Sequence, residues 1–318
     1  MAWLGVADGP LIAIRALHFA ASAMTTGAVV FGAVVGKPAL GSEQPLAKLQ
    51  GKLTLGLASV GLAITVVSGA IWFVVQAAAM SGEPLDESLT SRVLLPVLNQ
   101  TQFGQVCEVR LILALVLAAC LAYRHFALAN ELSLAASLGL IAAIAWAGHA
   151  GSTPDELGGL HLAADALHLV AAAVWIGGLV PLVLLLRAAR RERNAAGLVL
   201  AHALTRRFSV LAMASVAALL GTGFVNAWIL VGSLHALLVT EYGRLLMLKL
   251  AVFAIMLLIA AVNRFWLTPR LDPASGYRLP IGALGQLTRT GSIEIALGLA
   301  IFAIVGMLGT LHPAIHFF

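Results

Sequence analysis

Two imidazoles and a carboxylate share one helical face in the stretch from His149 to Pro181, HAGSTPDELGGLHLAADALHLVAAAVWIGGLVP. His161, Asp165 and His168 stand at i, i+4 and i+7, within about 40° of one another around a helix. A third imidazole, His149, closes the preceding apolar segment. The turn between them, with Asp155 and Glu156, is short enough to hold two antiparallel helices side by side. Imidazole and carboxylate together are metal-ligand chemistry, and imidazole alone suits copper, zinc, iron or nickel equally. Ionisable groups inside an apolar span are costly and mark a pathway or a site. The plainer use of His161 and Asp165 is as a polar group at the wet end of a helix. As ligands, His149, His161, Asp165 and His168 are expected to converge on one outward-facing pocket, with His18 or His312 completing it. His18 and His168 sit about 10–13 Å inside their spans, where a neutral imidazole serves either as a ligand or as a hydrogen-bonding bridge between helices.

The elements that position these residues are membrane helices. Of 318 residues, 61% are hydrophobic and only 10% charged, with a mean hydropathy of +0.99. A soluble domain carries about 25% charged residues. Eight apolar spans are long enough for a bilayer core, at approximately 11–36, 53–79, 105–123, 131–150, 159–186, 208–232, 243–266 and 290–311. Helices are expected for all of them, because a helix satisfies its own backbone in lipid. The fold class is therefore all-α and polytopic. The net charge of +5 does not point to nucleic acid. The connections 37–52, 124–130, 187–207 and 264–289 hold fourteen of the 19 Lys and Arg, and the other connections and termini hold only Arg92. The first set is expected on the cytoplasmic side, with both termini outside. Seven of the nine His then fall toward the outer side. Cys107 and Cys120 lie on one predicted helix, about 20 Å apart along its axis, and cannot pair with each other within it. The opening MAWLGVADGP lacks a basic leader and a cleavage site, so the first span reads as retained. There is no CxxC and no HExxH. Met24 and Met307 share no face with His18 and His312, so no thioether ladder is expected.

The two halves of the chain resemble each other. Ala16-Leu17-His18 matches Ala166-Leu167-His168 at an offset of 150, and Gly27 matches Gly177. Ser68-Gly69 matches Thr222-Gly223. Thr101-x-x-Gly104 with Arg110 matches Thr240-x-x-Gly243 with Lys249, and Glu131 and His149 match Glu294 and His312. An even number of spans per unit makes the units parallel, related by an axis along the membrane normal. The expected organisation is two four-helix repeats, 1–150 and 151–318. His161 and Asp165 correspond to Leu11 and Arg15, so the acidic, histidine-rich site belongs to the second half alone. Arg110 and Lys249 lie inside spans, where Glu108, Asp165 or a ligand anion would offset their cost.

Gly148-His149, His168-LVAAAVWIGGLVPL, Arg207-Phe208-Ser209, Thr222-Gly-Phe-Val-Asn226, Tyr242-Gly-Arg-Leu-Leu-Met-Leu-Lys249, Asn263-Arg264 with Pro269, and Ser292-Ile-Glu294 carry a resemblance. It is to the CopD/PcoD family of bacterial copper-resistance inner-membrane proteins, closest over about 146–312. The resemblance implies eight spans in the inner membrane and handling of copper, as Cu+ or Cu2+, with uptake toward the cytoplasm as the usual assignment and no enzymatic step. A periplasmic copper-binding carrier, where one is needed, is then a separate chain. A distant likeness to membrane b-type cytochromes implies the alternative, an oxidoreductase holding haem b between His18 and His168.

Overall fold

The computed structural model describes residues 8–39, 45–192, 194–272 and 281–317. Trp3, Arg193 and the side chains of Asp155, Glu156 and His316 lie outside the described set. Eight helices are long and apolar enough to cross a membrane: α1 (Gly9–Ala39), α2 (Lys48–Ser81), α3 (Gln102–Ala122), α4 (Ala129–Ala147), α5 (Leu157–Glu192), α6 (Ala195–Val231), α7 (Glu241–Leu271) and α8 (Ile281–Leu308). No strand occurs among the described residues. The all-α, polytopic reading holds.

Helix ends depart from the apolar windows. α6 begins at Ala195 rather than near 208, and α8 at Ile281 rather than near 290. Hydropathy registers contact with lipid, whereas a helix runs on until its capping chemistry stops it. Asn194 supplies that stop for α6, its side chain accepting from the Gly197 N–H at 2.7 Å. Exposed Arg206 and Arg207 therefore ride on helix, not on a loop. α3 and α7 begin alike. Thr101 accepts from Gly104 N–H at 3.0 Å and Thr240 from Gly243 N–H at 2.9 Å. Each glycine also makes room for the carbonyls of a short helix just before it, Ser91–Gln100 or Leu234–Val239.

α1 and α5 form the centre of the bundle. In each, 72% of the apolar window is buried, against 6% in α7. α1 packs on α2, α4, α5 and α8, and α5 on α4, α6 and α8. The α1–α5 crossing needs Gly27 and Gly177. A methyl on either would run into the backbone of the other helix, the small-residue approach by which membrane helices pack without a hydrophobic drive between them. A π-helical turn sits in each helix near this level, Phe31–Gly36 and Ala173–Gly177. Trp175, Phe31 and Phe208 fill the core around the crossing.

Candidate functional site

α5, α6 and α7, with residues of α1, α4 and α8, enclose a cavity of about 420 Å³ that reaches the turn His149–Ser152, where α4 passes into α5. His149, His161, Asp165 and His168 all line it. The i, i+4, i+7 spacing thus puts three of these groups on one wall, and the short α4–α5 turn brings the fourth to the mouth.

The hydroxyls around the two α5 imidazoles favour one tautomer of each ring. Thr222 Oγ1 donates to the Ala218 carbonyl at 2.6 Å, so toward His168 it acts as the acceptor of an Nδ1–H bond at 2.9 Å. Thr153 Oγ1 donates to the His149 carbonyl at 3.2 Å and accepts from His161 Nδ1 at 2.7 Å. Each ring is left with an Nε2 lone pair. A second ring nitrogen anchored in this way is the usual support of a metal-binding histidine, since it fixes orientation and tautomer.

Asp165 accepts from Asn226 Nδ2 at 3.2 Å, and Asn226 Oδ1 makes no hydrogen bond. Lys249 lines the same cavity, and its charge acts on Asp165 across it. Tyr242 meets His149 edge-on, with ring centroids 6.3 Å apart. Arg15 lies over the Trp72 ring at 5.2 Å, with its guanidinium in space left by Gly309. Asn226, Tyr242 and the two threonines were not singled out as site residues. For Thr222 the signal was its match to Ser68. Thr153 gave none, because its partner is set by the fold of the turn.

The four groups share a cavity without closing on a point. Among the described residues no three His, Cys, Asp or Glu side chains stand close enough to hold an ion. His18 lines a different cavity, between α2 and α3. Its Nδ1 pairs with Ser68 Oγ at 2.9 Å. A haem held by His18 and His168 would need the two facing one another across one space, and they open into two. His312 is exposed beyond the end of α8. Below the first cavity, Trp175 forms both its floor and the roof of a smaller space of about 60 Å³. There buried Glu294 accepts from Asn263, and Arg264 Nη1 donates to Ser209 Oγ at 2.6 Å. Glu131, its counterpart by sequence, is exposed.

Two family descriptions match the chain: "Copper resistance protein D-like, N-terminal domain" over residues 6–159 and "Copper resistance protein D" over 202–308. The stretch between them carries His161, Asp165 and His168. Inner membrane protein YebZ of Escherichia coli K12 is 28% identical over 305 residues, spanning 95% of this chain and 98% of the relative. Copper resistance protein D of Pseudomonas syringae pv. tomato is 29% identical over 261 residues, 80% and 82% of the two chains. Copper transport protein CutJ of Bacillus subtilis is 32% identical over 163 residues, 51% of this chain and 27% of that one. No solved structure matches. Matched in both halves by the two family descriptions and over 80% of its length by a copper resistance protein D, the chain belongs to the copper resistance protein D family.

Proposed function

We propose that this protein carries copper across the bacterial inner membrane through the cavity of α5, α6 and α7. One observation carries the reading: His161 and His168 each have Nδ1 hydrogen-bonded to a threonine hydroxyl, and both line that cavity together with Asp165. His149 receives the ion at the mouth, His161 and His168 hold it, and Asp165 offsets its charge. Lys249 and Arg15 outnumber that single carboxylate among the lining residues. A singly charged Cu+ is then less costly to admit than Cu2+. His18 and His312 are kept for flanking steps, one in the other half and one on the exposed side. Uptake is the direction that the family resemblance implies. The relatives' names, copper resistance and copper transport, agree with copper as cargo. The reading places both termini in the periplasm, where a separate carrier chain delivers the ion, and needs no bond-making step.

The proposal includes two parallel repeats, 1–150 and 151–318, with α1 matched to α5. Its support is the Gly27–Gly177 crossing, in which each residue meets its own counterpart, and the matching bonds of His18 to Ser68 and His168 to Thr222. The test is copper binding to the purified chain after His168→Ala. Loss of binding by a protein that remains folded is expected, since one hydrogen bond in a membrane bundle contributes only about 0.6–2 kcal/mol. Unchanged affinity and stoichiometry would overturn the assignment.

A further inference from the structure

The cavity that holds His18 has about 410 Å³, nearly the volume of the one beside His168. Residues at matching offsets line both. His18 stands for His168, Gly69 for Gly223 and Arg110 for Lys249. What differs is the chemistry between them. Asn226 has given way to Trp72 and Tyr242 to Phe103, while Arg15, the counterpart of Asp165, lines the first cavity. The second space therefore has no counterpart of Asp165 in its depth; the one carboxylate among its lining residues, Glu108, is exposed, and its walls are aromatic.

Four buried polar atoms of its lining residues make no hydrogen bond among the described residues: Arg110 Nη1, His18 Nε2, Thr65 Oγ1 and Trp72 Nε1. Arg110 is 8% exposed, its one hydrogen bond among the described residues is to Ser22 Oγ at 3.3 Å, and its Nη1 has none. His18 is 2% exposed and its Nε2 has no partner. A guanidinium held inside a bundle by one long hydrogen bond is costly, and a cavity beside it is where an anion or acceptor would relieve that cost. Ser68 Oγ donates to the Thr65 carbonyl at 3.3 Å, so His18 Nδ1–H donates to Ser68 and Nε2 bears a lone pair. The missing head group must accept from Arg110 and meet a basic nitrogen. The rim includes Val66 and Leu111, 41% and 52% exposed on the face that meets lipid. The route in is thus from the bilayer, and an apolar tail can extend back along it.

We propose that this cavity binds a lipid-soluble carboxylic acid of the long-chain fatty-acid type. One oxygen accepts from Arg110, and the acid O–H donates to His18 Nε2. If the proton passes along that bond, the carboxylate accepts from both. The tail lies against Trp72, Phe73 and Phe103. This site stands apart from the copper reading and does not depend on it.

Trp72 lies in the wall of this cavity, so a brominated fatty acid seated there quenches its fluorescence. The full-length protein in detergent is titrated with dibromostearic acid and with its methyl ester. Saturable quenching by the acid, absent in Trp72→Phe and weakened about tenfold to a hundredfold in Arg110→Gln, is expected from loss of a charge-assisted hydrogen bond. Arg110→Lys, which keeps the charge, should retain part of it. Quenching without a saturable part assigned to Trp72 would overturn the proposal. Equal binding of acid and ester, or displacement by a neutral quinol as strong as by oleic acid, would overturn the choice of a carboxyl head. The acid-to-ester comparison uses wild-type protein, so it decides the matter even if Arg110→Gln does not fold.

Discussion

Replacing Thr222 by Val tests the anchoring of His168 without touching a ligand. Valine keeps the shape of threonine and removes one oxygen. That oxygen makes two bonds, donating to Ala218 O at 2.6 Å and accepting from His168 Nδ1 at 2.9 Å. The Ala218 carbonyl still has its place in the α6 ladder, so its loss is small. His168 Nδ1–H is left half-buried and unpaired, which costs about 1–3 kcal/mol if water cannot reach it. Within a membrane bundle the measured range for such a bond is lower, about 0.6–2 kcal/mol, and the fold should survive. The effect on copper should be larger than on stability. A freed ring can rotate or switch tautomer and withdraw Nε2, and losing the group behind a metal-bound histidine weakens binding by about 10–100-fold. The assay is copper affinity of the purified protein against a competing chelator, with thermal unfolding measured alongside. Thr222→Ser should restore affinity, because serine returns the hydroxyl. Unchanged affinity in Thr222→Val, in protein of near-native stability, would refute the claim that this hydroxyl poises His168 for metal.

Copper binds neutral imidazole, so protons compete with it. Affinity should fall on acidification, by up to about two log units per pH unit where two histidines that bind together both protonate. A chelator titration at several pH values reads this, and a flat profile would count against histidine ligation. At the α1–α5 crossing, Gly177→Leu should destabilise by about 1–3 kcal/mol or more, because the clash is with backbone and cannot be relieved by a rotamer. Gly56→Leu, with open space at its Cβ, should change thermal stability by no more than about 0.5 kcal/mol. Reporter fusions at Arg193 and after Phe318 should show the first inside the cell and the second outside. A periplasmic signal at Arg193 would invert the topology.

Composition and spacing by themselves determined that eight helices cross the membrane and that His161, Asp165 and His168 face one way. Both follow from local rules, the hydrophobic length of a bilayer and the 3.6-residue turn. The nearness of His149 followed as well, since a short turn leaves α4 and α5 no choice but to be neighbours. Helix limits were less legible. Arg206 and Arg207 look like loop residues to a hydropathy window, yet they continue α6 because nothing before Asn194 ends it. Only the tertiary structure decided which histidines meet. His18 and His168 match in sequence, but each turns toward its own α2–α3 or α6–α7 neighbours, on separate sides of the α1–α5 crossing, and so into separate cavities. His312, a match for His149, falls past the end of α8. The partners that set tautomers, Ser68 and Thr222, lie 50 and 54 residues from their imidazoles. Their register depends on how deeply one helix sits against another. On the His18 side that depth is limited by glycines such as Gly61 and Gly69, where an added methyl would meet Thr25 and His18, an effect that appears only once both helices are in place.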